Sequence, residues 1–210
     1  MNNQIGPQCS PLINEGVSVC GELALTIKNA FGLDKSLYIA NSAYCVFHEF
    51  FKLADKVIAR QTIDHIATPN TVISDSNYII DTIEDRFDFI IGDIIFIPNK
   101  IICKYGDISI SARYSWITIL QSLSKLAENG YGLFLVEPMI GTQEWDNFTR
   151  DLAKCGFYIN AYFNSPASTF KSVTSLRPII ILVSKNNTSS LFIAELEDRH
   201  LKYLKMRLLF

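Results

Sequence analysis

Phe87-Asp88-Phe89-Ile90-Ile91-Gly92-Asp93-Ile94-Ile95-Phe96 is the stretch on which the fold turns. Phe89, Ile90 and Ile91 form a short apolar run after the acidic Glu84-Asp85, and Gly92-Asp93 breaks it. A strand buried on both faces carries no polar alternation, so such a run predicts a central strand of a parallel sheet. Its carboxyl end, here Asp93, is where open α/β sheets keep their ligand loops.

Working outward, strands and helices alternate. Upstream, Val19, Leu23, Ile27 and Ala30 recur at helical spacing within Pro11 to Phe31, and Gly32 is a helix stop. Leu37-Tyr38-Ile39-Ala40 reads as a short strand, after which Asn41-Ser42 caps a second predicted helix. Its apolar face would run through Tyr44, Phe47, Phe51, Ala54 and Ile58, with Lys52, Lys56 and Arg60 as a basic stripe on the other side, either solvated or facing phosphates. Thr71-Val72-Ile73 reads as a strand leading into Ser74-Asp75-Ser76. Downstream, the spacing of Trp116, Ile119, Leu120, Leu123 and Leu126 predicts a helix over 109–128 that ends at Asn129-Gly130. Gly132 to Val136 is a further strand, Glu144 to Lys154 a helix, and Phe157 to Phe163 and Pro178 to Val183 are strands joined by a Ser/Thr-rich loop. The expected fold is α/β: a doubly wound, mostly parallel, Rossmann-like sheet closing on an antiparallel hairpin.

Composition bounds the rest. With 210 residues, 49% of them hydrophobic, the chain has enough apolar surface for one domain spanning 1–210, in which 186–210 is a C-terminal extension whose LKYLKMRLLF either docks on the domain or meets a partner. Nineteen basic residues against 21 acidic ones give no global pull toward nucleic acid. Cysteines 9, 20, 45, 103 and 155 are scattered and share no CxxC spacing, which argues against a disulfide framework or a zinc site and for a reducing, cytoplasmic setting. His48, His65 and His200 are isolated, so no metal is expected. No apolar run reaches the roughly 20 residues that span a bilayer.

From Leu37 onward, the order of elements resembles the catalytic domain of the adenine-specific DNA methyltransferases of restriction-modification systems, including the modification subunits of type I systems. Asp93-Ile94-Ile95-Phe96 resembles that family's loop after the catalytic strand, with the polar residue and the aromatic in place and both intervening prolines replaced. Thr71 to Ser76 resembles its strand and acidic loop, Asn129 to Pro138 its glycine turn and following strand, and Gly156-Phe157-Tyr158, Pro166, Thr169-Phe170 and Pro178 to Lys185 its closing hairpin.

The resemblance implies a class I methyltransferase fold, S-adenosylmethionine as methyl donor and an adenine amino group as acceptor. Asp93 would accept a hydrogen from the adenine amine and Phe96 would stack on a flipped base. Asp75 and Ser76 would meet the donor's adenine. Gly6, within Gly6-Pro7-Gln8-Cys9-Ser10-Pro11, would stand for the glycine turn after a first strand, and Asn41 for the ribose acceptor after a second. Judged without the resemblance, Asp93 is equally a loop cap, Asp75-Ser76 an Asx-type turn and Phe96 a core aromatic.

The departures fall on the functional loops. One glycine is left at residues 6–11, Asn41 lacks the charge that strengthens a hydrogen bond to ribose, and Ile94 and Ile95 would put apolar side chains where a polar substrate sits. The expectation is therefore a degenerate methyltransferase-like domain serving a binding or scaffold role, with a protein partner or a second copy and with DNA reached through that partner. The alternative is an active DNA adenine methyltransferase.

Overall fold

The computed structural model describes residues 15–40, 46–59, 71–73, 80–94, 97–166, 168–169 and 177–197. Among these residues, ten strands and four α-helices follow in chain order: α1 (Glu15–Ala30), β1 (Ser36–Ala40), α2 (Phe50–Leu53), β2 (Lys56–Ala59), β3 (Thr71–Ile73), β4 (Phe87–Asp93), β5 (Lys100–Tyr105), β6 (Ile108–Arg113), α3 (Tyr114–Leu123), β7 (Leu126–Val136), α4 (Gln143–Lys154), β8 (Tyr158–Asn164), β9 (Ile179–Ser184) and β10 (Phe192–Glu195).

Eight strands form one sheet in the order β10-β8-β9-β7-β4-β1-β2-β3. All neighbours pair in parallel except β9, which runs antiparallel to both β7 and β8. The chain winds outward from β1 to β3, returns to β4 on the other flank of β1, and winds outward again. The middle of the sheet is sequence-dictated: every residue of β1 and of β9 is buried, as the unbroken runs SLYIA and IIILVS require of strands covered on both faces.

Each face of the sheet has its own core. On one face, Val19, Cys20, Leu23, Ala24 and Ile27 of α1 pack with Phe47, Phe50 and Phe51 against Tyr38, Phe89, Leu133 and Leu182. Gly32 at φ 61° ends α1, and the Leu33 N–H reaches back to the Lys28 carbonyl at 2.9 Å. On the other face, Trp116 and Leu120 of α3 and Trp145, Phe148 and Leu152 of α4 pack over Ile90, Phe134 and Ile181. The Thr142 hydroxyl caps α4 by accepting the Trp145 N–H at 3.3 Å.

Several elements differ from those expected. Of the second expected helix the described residues form only the single turn of α2, and Ile58, placed on its apolar face, lies instead in β2. Val57-Ile58-Ala59 is short enough to fit either period, and burial between β1 and β3 decides for a strand. Lys52 and Lys56 therefore share no helix face. The helix expected over 109–128 keeps only its middle, because 108–113 pairs back on 100–105 as a hairpin and 126–136 joins the sheet. The closing antiparallel pair does not form the margin: β10, which carries no strong pattern of its own, adds in parallel outside β8.

Candidate functional site

The direction of winding reverses between β1 and β4, which makes the carboxyl ends of these two strands the natural ligand crevice of the sheet. In register, Ala40 of β1 stands beside Asp93 of β4, and Leu135 of β7 stands on the other side of Asp93. The side chain singled out as catalytic thus sits at the switch point. Gly6, Asn41, Asp75, Ser76 and Phe96 lie outside the described residues.

Among the described residues, the strand count around Asn41 differs from the expected one. Leu37 to Ala40, read as a second strand after a glycine turn at 6–11, belongs to β1, which is flanked by β4 and β2 and preceded by α1. In sequence, Asn41 directly follows Ala40 at the switch point, whereas Gly6 precedes α1. Asn41-Ser42-Ala43-Tyr44-Cys45-Val46-Phe47-His48-Glu49 contains no glycine.

Val46 and Phe47 are fully buried, and the Val46 backbone N–H donates to Asp93 Oδ2 at 2.7 Å. Asp93 itself has no exposed surface. A carboxylate in that position satisfies a buried amide with a charge-assisted bond, the strong kind. Ile94 does not fill the substrate position as expected. It is buried in the core under α3 and α4, beside Phe134 and close over Gly92, where a methyl group on Gly92 would come within 2.9 Å of Ile94 Cδ1.

Next to Val46 and Phe47 lie His48 and Glu49, with Nδ1 and Oε2 3.6 Å apart and the Glu49 carboxylate pressed against Gly21 of α1. A side chain at position 21 would displace that carboxylate, so the glycine permits the close approach of α1 to this turn.

A second polar cluster, which sequence reasoning missed, gathers at the same edge of the sheet. Glu137 follows β7 and is 6% exposed. Arg113, the residue before α3, lies 3.6 Å from Glu137 Oε1 and grips Glu144 Oε2 of α4 through Nε at 3.0 Å and Nη2 at 2.8 Å. Lys100 holds the other Glu144 oxygen at 3.0 Å. Burial raises the Glu137 carboxyl above the ordinary range despite Arg113, while the hydrogen bond from Lys100, with Arg113, lowers that of Glu144. A cleft of about 40 Å³ lies between Lys100, Ser111, Trp116 and Asn147, room for a water or so. The sequence signal was the acidic residue ending the run 132–136, but its cation sits on an element that was read as helix.

Among the described residues no three His, Cys, Asp or Glu side chains gather to hold a metal, and no helix is long and apolar enough to cross a membrane.

No protein-family model matches the chain, and no curated protein matches it. Solved structures do. A candidate class I S-adenosylmethionine-dependent methyltransferase from Listeria monocytogenes superposes with a TM-score of 0.56 at 15% identity, over 85% of this chain and 64% of that one. The M protein of the type I restriction enzyme EcoKI gives 0.56 at 7% identity, over 89% of this chain and 46% of that one. The fold is that of the class I methyltransferases. A candidate hemolysin from Lactococcus lactis shares it, with a TM-score of 0.54 at 14% identity over 87% of this chain and 92% of that one. The chain thus spans less than two thirds of the length of the Listeria protein and less than half that of the M protein. At these identities the likeness concerns the fold alone.

Proposed function

We propose that the chain is a methyltransferase-fold domain whose donor and base sites no longer serve methyl transfer, and that it acts as a binding or scaffolding domain in an assembly of the restriction-modification type. The observation that carries this reading is the Asp93 carboxylate: buried, and committed to the Val46 N–H at 2.7 Å. A group that must accept the hydrogens of an incoming amine has to be reachable. The cofactor loop points the same way. Close approach of backbone to the donor requires glycine, and residues 41–49 offer none, while Val46 and Phe47 turn into the core. Among the described residues around the switch point, the buried Val46, Phe47 and Asp93 do not fit S-adenosylmethionine. The likeness to the EcoKI M protein supports an assembly with a protein partner, through which DNA would be reached.

Isothermal titration with S-adenosylmethionine tests this directly. No saturable heat is expected; tight binding at one site per chain would overturn the reading.

A second reading, an active DNA adenine methyltransferase with Asp93 as acceptor and Phe96 as base platform, is favoured by one observation, the place of Asp93 at the end of β4 beside Ala40. It requires the 46–49 turn to move off the carboxylate when donor binds. Transfer of labelled methyl groups to DNA, lost in Asp93→Ala, would establish it.

A further inference from the structure

β10 is the outermost strand of the sheet, and among the described residues only β8 pairs with it. The Leu196 N–H turns toward β8 and donates to the Asn164 carbonyl at 3.0 Å. Alternation along the strand then turns the N–H and C=O of Leu191, Ile193 and Glu195 the other way, to the open edge. Leu191 is 46% exposed, Phe192 39% and Ile193 54%, three large apolar side chains in a row at the margin. Phe192 lies on the α1 face with Phe163, ring centroids 5.9 Å apart, and Ile193, level with Tyr162, lies on the α4 face. Edge strands are normally blunted by lysine, proline or a bulge, because an open row of backbone groups recruits another strand. Asn186 to Ala194 contains no charge and no proline, and the register of β10 on β8 is unbroken.

We propose that β10 pairs antiparallel with β10 of a second copy of this chain across a two-fold axis, joining the two sheets edge to edge. Opposed side chains of an antiparallel pair share a face, so the axis passes through a residue rather than between two. Ile193 is the middle of the stretch from Leu191 to Glu195, and its backbone groups point outward, so two copies exchange both hydrogen bonds there. In this register Ile193 meets its own copy, Phe192 meets the small Ala194, and Leu191 meets Glu195. Charge agrees with the pairing. Each Glu195 is held by Arg177 of its own chain, Nη1 to Oε1 at 2.7 Å, and stands opposite a leucine instead of a second carboxylate. Glu197 falls opposite Ser189.

Two other occupants compete. A foreign strand would meet the same backbone groups, but a copy of β10 brings alanine opposite phenylalanine and keeps acid away from acid with no further selection. Residues 198–210 of the same chain follow β10 directly, and the solution mass separates that case from a dimer. The inference deepens the scaffold reading, on which it rests, by naming the partner. Three strands separate β10 from β4 and the switch point, so dimerisation and S-adenosylmethionine binding hold or fail separately.

Sedimentation velocity of the full chain over a concentration series provides the test, and a reversible shift to twice the mass of the chain is expected. Ile193→Lys opposes two ammonium groups at the axis and should raise the dissociation constant about tenfold. Ile102→Lys, the same change at a side chain 74% exposed on β5, should leave it unchanged. Leu191 reads the register. Leu191→Glu, set against Glu195 of the second copy, should weaken the dimer about tenfold, whereas Leu191→Lys, set against the same carboxylate, should keep the wild-type association. These side chains are exposed, so urea midpoints measured on monomer should stay with the wild type. A chain that remains a monomer, as it would if its own residues 198–210 closed the edge, would overturn the proposal. So would a dimer that Ile193→Lys leaves intact, or equal effects of the two Leu191 variants.

Discussion

Asp93 and Val46, 47 residues apart in sequence, are joined by a buried 2.7 Å hydrogen bond from the backbone of one to the carboxylate of the other. The bond ties the turn at 46–49 to the end of β4, which with the end of β1 forms the crevice where this fold keeps its ligands. Whatever else Asp93 does, it holds that turn in place.

Removing the acceptor leaves a buried N–H without its partner. Asp93→Ala should therefore destabilise the chain by about 1–3 kcal/mol, read as a lower urea midpoint at unchanged slope. Asp93→Asn keeps an oxygen that can accept and should recover most of the loss. Equal midpoints for the wild type and the alanine variant would show that the bond contributes nothing.

Glu137 makes a prediction about pH. Its carboxyl is raised by burial, so the folded state holds a proton that the unfolded chain releases. That contribution is complete below the ordinary glutamate range and is lost as pH rises through the raised value. Glu144, lowered by Lys100 and Arg113, works the opposite way: its contribution is present above the ordinary range and fades as pH falls. Glu137→Gln abolishes the first effect alone. Relative to the wild type, the variant should gain stability as pH rises above the ordinary glutamate range and then level off. Melting curves that stay parallel across that interval would contradict the assignment.

Gly132 lies in β7 where a methyl group would meet Phe134 Cε2 at 2.5 Å and Leu123 Cδ2 at 2.9 Å. Neither neighbour has space to retreat, since both are fully buried. Gly132→Ala should cost about 1–3 kcal/mol by overpacking, measured by denaturant titration.

Trp116 couples α3 to α4, with its ring 4.3 Å from that of Phe148 and 5.7 Å from that of Trp145. Trp116→Ala should cost about 3–5 kcal/mol and remove much of the near-ultraviolet circular dichroism, whereas Trp116→Phe should keep most of both.

The parts of the fold that were legible in the sequence are those whose pattern has one physical explanation. Phe87 to Ile91, Gly132 to Val136 and Pro178 to Val183 are apolar runs bounded by turn residues, and the strands β4, β7 and β9 contain or overlap them. Glu144 to Lys154 carries a helical stripe, charges suited to both ends of a helix and a cap, and α4 begins one residue earlier. Legibility failed where a segment served two periods or two layers. Val57-Ile58-Ala59 continued a helical pattern by chance of spacing, and burial between two strands overrode it. In 100–113 the alternation was present, but Trp116 and Ile119 beyond it extended a helical pattern backward over β6. The site was half legible: Asp93 announces itself by breaking a buried strand, while its bond to Val46 is a long-range pairing that no local pattern encodes. The Glu137 and Arg113 contact was hidden for the same reason.

The antiparallel β9 has a consequence for how the chain is made. It lies between β7 and β8, though it is synthesised after both. Until Ile179 to Ser184 emerges from the ribosome, β7 has one bare flank and β8 has no strand that joins it to the rest of the sheet. A nascent chain stalled just short of Ile179 should expose that flank to chaperones, while β1 to β4 can already be paired.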